Sequence, residues 1–427
     1  MRRRDFLKKT ALAGAMGLMA PAARLYGAVE GGYTGRLLVQ MQLEGAWDVS
    51  SYCDPKRNQS GEPVINNWAS ASEIQQAGNI PFAPFAGNEA FFNRYYRDML
   101  VINGVDAQTN AHSTGITHNW SGRNSIGYPT LTAMFAARNA PEQPLSYINF
   151  GGFSQTGNLI RFTRLNDVQS LTALLQPNRE SEGVTFRRPA LMEKIRERQQ
   201  QRIARLLQDP TLIPRQVDTM EAYQTALSNK GPLEEFSAYV PSEDDILPDV
   251  PVNAFTTSSL GRQVQLAVAG FEAGLASAAD LFLLGFDTHT RHDELHEPLL
   301  QEVNTNLDLL WTLAEEKGIA DRLTVVIASD FSRTPFYNAD AGKDHWPIGS
   351  VIVMEKNAGW TNRVVGSTDE LQNAYKVNTS TLARDDNGIT LLPKHVHKAL
   401  RQHLGLANTS VDRDFQFFST EQLPLFD

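Results

Sequence analysis

Residues 281–330 read LFLLGFDTHTRHDELHEPLLQEVNTNLDLLWTLAEEKGIADRLTVVIASD. A short apolar run at 281–285 is followed by leucines at 295, 299, 300, 307, 309, 310 and 313, and then by a second apolar run at 323–329. Leucines at that spacing mark an amphipathic helix over 295–317. The flanking runs lack the strict alternation of half-exposed strands, as expected of strands covered on both faces. Strand, helix and strand in this order is the building unit of a parallel sheet.

Working outward, 36–43 (RLLVQMQL), 99–103 (MLVIN), 145–150 (LSYINF) and 350–354 (SVIVM) read as further strands of the same kind. Helices are expected at 121–137, with Pro129 interrupting its start, and at 262–279, where Val264, Leu266, Ala267 and Phe271 share a face. A terminal helix is expected after Leu391-Leu392-Pro393-Lys394-His395-Val396-His397. The whole predicts an α/β fold, an α/β/α sandwich around a mostly parallel central sheet. One stretch breaks the rhythm. A highly charged helix at 191–207 and the acidic, proline-containing segment 243–251 suggest that 171–251 is an insertion of helices and loops covering one side of the sheet.

The chain starts Met1-Arg2-Arg3-Arg4-Asp5-Phe6-Leu7-Lys8-Lys9 and then turns apolar over 10–23. That apolar run is shorter than the roughly 20 residues a spanning helix needs, so it reads as a targeting segment and no stable transmembrane anchor is expected. Arg3-Arg4-Asp5-Phe6-Leu7-Lys8 resembles the consensus of twin-arginine signals. That likeness implies a signal peptide over 1–28, the twin-arginine export machinery as partner, transport in the folded state and a periplasmic location for residues 29–427. Loss of 1–28 would remove six basic side chains and one acidic one, moving the net charge from -9 to -14. Such a field repels nucleic acid and anionic lipid. The single cysteine, Cys53, excludes an intramolecular disulfide, so stability has to come from a packed core.

In open α/β sheets ligands bind beyond the carboxyl ends of the strands. Here those ends run into Asp48, into Asp287-Thr288-His289-Thr290-Arg291-His292 and into Asp330-Phe331-Ser332-Arg333, with Asp344-His345 a little further on. One aspartate after a strand is an ordinary turn or cap residue. Carboxylates and imidazoles gathered at one sheet edge are the ligand types of a borderline divalent metal, zinc first, with manganese or calcium as alternatives.

The segments Asp287-Thr288-His289, Ser329-Asp330-Phe331-Ser332-Arg333-Thr334 and Asp344-His345 resemble those of the bacterial family called domain of unknown function 1501, over nearly all of the chain after the signal. That family is placed by similarity in the alkaline phosphatase and sulfatase superfamily. The resemblance implies metal ligation by Asp48, Asp287, either His289 or His292, Asp330 and His345. It also implies a hydrolase of phosphate or sulfate esters acting on an anionic ester. Phe331 departs from the phosphatase pattern, in which histidine follows the aspartate, so one metal site is expected rather than two unless His112 or His118 folds in. The segment 110–123 (NAHSTGITHNWSGR) is similar in spacing to that of nucleotide pyrophosphatase-like members and makes Thr114 the candidate nucleophile, with Ser113 as rival. His118 is then a candidate ligand or proton carrier, and Arg333 or Arg123 a candidate clamp for an oxyanion. Cys53-Asp54-Pro55-Lys56-Arg57 matches the sulfatase formylglycine core, but it lies too close to Asp48, and a surface or rim cysteine is expected. His296 is expected in a solvated helix start, and His395, His397 and His403 in structural roles. A noncatalytic binding or assembly protein on the same fold is the competing reading, because fold does not fix function.

Overall fold

The computed structural model describes residues 32–165, 189–228, 235–242, 244–418 and 421–427, together with Leu233. The expected signal segment at 1–28 and the part of the expected insertion before 189 lie outside the described residues. Within that insertion, helices α4 (Pro189–Leu206) and α5 (Pro214–Ser228) form a compact unit of their own.

The remaining described residues build one eight-stranded sheet. In chain order its strands are β1 (Leu37–Leu43), β2 (Met99–Asp106), β3 (Tyr147–Asn149), β4 (Thr163–Arg164), β5 (Ala278–Leu283), β6 (Leu323–Ser329), β7 (Ile348–Glu355) and β8 (Arg363–Val365). They lie side by side as β8-β2-β7-β6-β1-β5-β3-β4. Every neighbouring pair is parallel except the two made by β7, which runs against both β6 and β2. The sheet is therefore mixed, with one reversed strand.

Side chains along each strand alternate between two cores. Leu37, Val39, Met41 and Leu43 of β1 join Val325 and Ile327 of β6 on one face, while Leu38 joins Val326 and Ala328 on the other. The first face is covered by α1 (Asn88–Tyr95), α6 (Leu260–Glu272) and α7 (His292–Glu316). The second is covered by α3 (Leu131–Asn139) and α8 (Pro393–His403). This is the expected three-layer arrangement, and it explains why the strands read as continuous apolar runs.

Helix α2 (His112–Ser121) positions the site. The helix expected at 121–137 starts only at Leu131: Gly122 ends α2 in the left-handed region, and Thr130 caps α3 by accepting from Ala133 N–H. Two polar side chains on β1 hold α2 from below. Asn119 Nδ2 donates to Gln42, and Gln40 Nε2 donates to the Asn119 carbonyl at 3.2 Å. Gly115 lets the first turn settle on the end of β6, because a Cβ there would lie 2.6 Å from the Asp330 carbonyl oxygen. No helix among the described residues is long and apolar enough to cross a membrane.

Candidate metal centre

The carboxyl ends of β1, β2, β5 and β6 and the loop entering the reversed strand β7 meet at one edge of the sheet. His112 comes from the first turn of α2, Asp287 and His289 from the loop after β5, and His345 from a two-residue ribbon in which His345 pairs with Arg333. His112, Asp287 and His345 each offer one donor atom, and these three atoms lie within 4.8 Å of one another. His112 Nε2 and His345 Nε2 are 3.0 Å apart, and Asp287 Oδ1 lies 3.4 Å from the first and 3.2 Å from the second. His289 joins them, its Nε2 2.9 Å from His345 Nε2 and 3.1 Å from Asp287 Oδ1.

The opposite ring nitrogens show what the inward ones can do. His112 Nδ1 donates to Asp330 Oδ2 at 2.5 Å, His289 Nδ1 to Asp344 Oδ1 at 2.8 Å, and His345 Nδ1 to the Asn110 carbonyl at 2.8 Å. With each Nδ1 proton committed outward, the Nε2 atoms of neutral rings would face one another lone pair to lone pair. A cation, proton or metal, must share that space. Imidazoles aimed inward and anchored from behind by a carboxylate or carbonyl are the usual support of a metal-binding histidine. Hydrogen bonds donated to Asp287 and then to Asp330 push the pKa of His112 up to about 9, against the opposing effect of burial. Burial would raise Asp287, but His112, Arg333 and His345 outweigh it and hold the carboxyl far below its usual range. The first shift marks a place that attracts positive charge, and the second keeps Asp287 ionised there.

Several expected residues take different parts. Asp330 is buried behind His112; its Oδ1 accepts from Gly45 N, Ala46 N and Ser329 Oγ at 3.2, 2.8 and 2.7 Å, so it orients a donor instead of facing the centre. Arg333, expected as an oxyanion clamp, is fully buried and donates to the carbonyls of Ala46, Lys343 and Gly45 and to Asp287 Oδ1, which it fixes at 2.6 Å. His118 turns away: buried, its Nδ1 donates to the Ala107 carbonyl at 2.9 Å, and burial lowers its pKa. Thr114 is the third residue of α2, half-buried and two positions beyond His112.

Asp48 belongs to another cluster, whose charged side chains are fully buried. Its Oδ2 accepts from Lys343 Nζ at 2.7 Å and His292 Nε2 at 3.1 Å, and its Oδ1 from Ser50. Burial would raise Asp48, but Lys343 and then His292 hold it well below the usual carboxylate range. Of the two histidines expected as alternatives, His292 sits with Asp48 and His289 with Asp287. His296, expected at a solvated helix start, is buried, and its Nε2 accepts the Asp48 N–H at 2.9 Å. Cys53 is buried too, not at a rim, and burial then Asp54 raise its thiol pKa, which leaves it unreactive. Phe331 stands between two of the rings, its centroid 4.9 Å from both His112 and His345. Its phenyl ring thus packs against both imidazoles. The late histidines, expected in structural roles, are each held by the fold: His395 Nδ1 accepts from Leu392 N, His397 Nε2 donates to the Asn119 carbonyl, and His403 Nε2 meets Glu355.

A three-layer α/β protein with histidine and aspartate side chains gathered at the carboxyl edge of its sheet, in an arrangement that could hold a metal ion, is the class these features define. The chain belongs to the family described as protein of unknown function (DUF1501), whose model matches residues 39–385. No curated protein matches it. Among solved structures it is similar to the PsFucS1 sulfatase from Pseudoalteromonas sp., with 8% identity over 88% of this chain and 68% of that one and a TM-score of 0.40. It is also similar to the phosphonate monoester hydrolase of Agrobacterium radiobacter, with 10% identity over 87% of this chain and 74% of that one and a TM-score of 0.37. A third is the lipoteichoic acid synthase LtaP from Listeria monocytogenes, with 8% identity over 98% and 80% and a TM-score of 0.36. At these scores the likenesses are weak, and function has to be argued from the side chains.

Proposed function

We propose that the protein is a metal-dependent hydrolase of phosphate or sulfate esters, exported through the twin-arginine pathway to work in the periplasm. The observation that carries the metal-dependent part is the convergence of His112, His345 and Asp287, with His289 beside them and every Nδ1 anchored outward. Two or three imidazoles with one carboxylate suit zinc best. Bound there, a divalent ion supplies Lewis-acid polarisation of the ester and a lowered pKa for the attacking hydroxyl or water.

The chain's own groups supply the rest. The amides of the first turn of α2 have no partner further up the helix, and they open beside His112 where the oxygens of an anionic ester would sit. Thr114, in that same turn, is the candidate nucleophile, with Ser113 or a water as alternative. Arg333 fixes Asp287 and Asp330 fixes His112, so neither spends its charge on substrate.

Full-length protein loaded with zinc, manganese or calcium is expected to retain metal and to hydrolyse aryl phosphates or aryl sulfates. Asp287→Ala is expected to lose both properties, and Thr114→Ala only turnover. Metal-loaded wild type that cleaves neither ester class would support a noncatalytic binding protein, the reading favoured by Phe331 at the position of a histidine. Protein with no affinity for these ions would remove the metal centre altogether.

A further inference from the structure

The Asp48 cluster is built like a cation site, yet the cation in it is part of the chain. Lys343 is fully buried, and its Nζ lies 2.7 Å from Asp48 Oδ2, 2.9 Å from Asn66 Oδ1 and 3.3 Å from Ser50 Oγ, with the Tyr337 ring centroid 5.0 Å away. Three oxygens at such distances match the three protons of an ammonium group. The two imidazoles beside it have no lone pair to give. His292 donates Nε2–H to Asp48 and accepts the Thr288 hydroxyl on Nδ1 at 2.7 Å; His296 accepts Asp48 N–H on Nε2 and donates Nδ1–H to Thr288 Oγ1 at 3.2 Å. Each donor meets an acceptor throughout, so a metal would have to expel the lysine and break the imidazole pairing.

We propose that Lys343 is a tethered substitute for a second metal ion, filling the Asp48 cage so that the centre beside it works with one metal. Asp48, read from resemblance as a ligand, is the counter-ion of this lysine. The backbone of the same residue ties the cage to the neighbouring centre. Lys343 N donates to the Thr288 carbonyl at 3.1 Å, and its carbonyl accepts from Arg333 Nη1 at 3.0 Å. Residues 343–345 thus run from the cage to Asp344, which holds His289, and to His345 in the metal cluster. Lys343 touches no reacting group and acts as a positioning residue. The count of ions rests on the metal-centre reading above; the ammonium cage does not.

The test uses the full-length chain. Wild type equilibrated with zinc or manganese and freed of excess is expected to hold one ion by mass spectrometry of the metal content; two ions, the second lost in Asp48→Asn, would overturn the proposal. Lys343→Ala is expected to have a lower Tm that ammonium or ethylammonium salts raise and choline salts of equal ionic strength do not. Equal response to all three would overturn the cage. Should Lys343→Ala fail to fold, the double variant Asp48→Asn/Lys343→Met replaces it. With both charges gone together, it is expected to melt above Asp48→Asn alone, and melting below that single variant would count against the pairing. A wild type without bound metal would remove the metal-centre reading and leave the amine rescue to judge the cage.

Discussion

Replacing Asp330 by asparagine isolates the support of one ligand without touching the ligand itself. Asp330 Oδ1 takes two backbone amides and the Ser329 hydroxyl, and an asparagine oxygen can keep all three. Its other oxygen, 2.5 Å from His112 Nδ1, becomes an NH2 group facing an N–H. Donor against donor is untenable at that distance, so His112 has to move its proton to Nε2, the atom aimed at Asp287 and His345. The ring then offers the centre a hydrogen in place of a lone pair. Loss of such an outer partner typically weakens metal binding about 10- to 100-fold, or roughly 1.4–2.7 kcal/mol. Zinc competition against a chromophoric chelator at fixed pH measures this directly, with the Tm of the metal-free variant reporting whether the fold is intact. An Asp330→Asn protein that folds like wild type and binds zinc equally well would refute the assignment of His112 as a ligand.

Two other outcomes follow from particular contacts. Gly342 lies against the His289 carbonyl, where an added Cβ would come within 1.8 Å of the oxygen; Gly342→Ala is expected to pry the 338–343 loop from the loop after β5 and abolish metal retention while leaving the far-ultraviolet circular dichroism nearly unchanged. Asp280 in β5 is fully buried, bonded to Tyr147 and to Asn149 at 3.2 Å, and burial pushes it up to about 7. Its folded pKa exceeds the unfolded one near 3.9, so its contribution to stability is complete below about pH 4, declines as pH rises, and is lost above about pH 7. Three pKa units correspond to about 4 kcal/mol across that window. Urea unfolding at a series of pH values should show this slope in wild type and a flatter one in Asp280→Asn; parallel slopes would show that Asp280 does not carry the dependence.

Most of the sheet was legible because burial on both faces leaves a local mark. The six expected strands appear within a few residues of their places and α7 where its periodicity sets it, while α8 starts at Pro393, inside the segment expected to lead into it. Strand β5 begins earlier than its apolar run, since Asp280 interrupts what would otherwise read as hydrophobic. The edge strands β4 and β8 are too short to carry a pattern. Helix α2 has no apolar periodicity to mark it, and its Asn119 is held by Gln40, Gln42 and His397, partners far away in sequence.

The site divides along the same line between local and distant causes. Asp287 and His289 are two apart in extended chain and therefore project to one side, while Thr288 between them projects to the other, onto His292 and His296. That alternation makes the Asp-Thr-His segment readable as a paired donor. Nothing comparable marks Lys343, which looks like a surface lysine in a polar turn until the chain after β1 brings Asp48, Ser50 and Asn66 around it. His112 was visible only as one candidate donor, because its role depends on Asp330 reaching its back from another strand. A ligand's identity can be read from its own segment, whereas the choice between a metal ion and an ammonium group is made by whichever distant side chain arrives to neutralise the carboxylate. The two neighbouring acids show this directly: three imidazoles gather around Asp287 and a lysine seals Asp48.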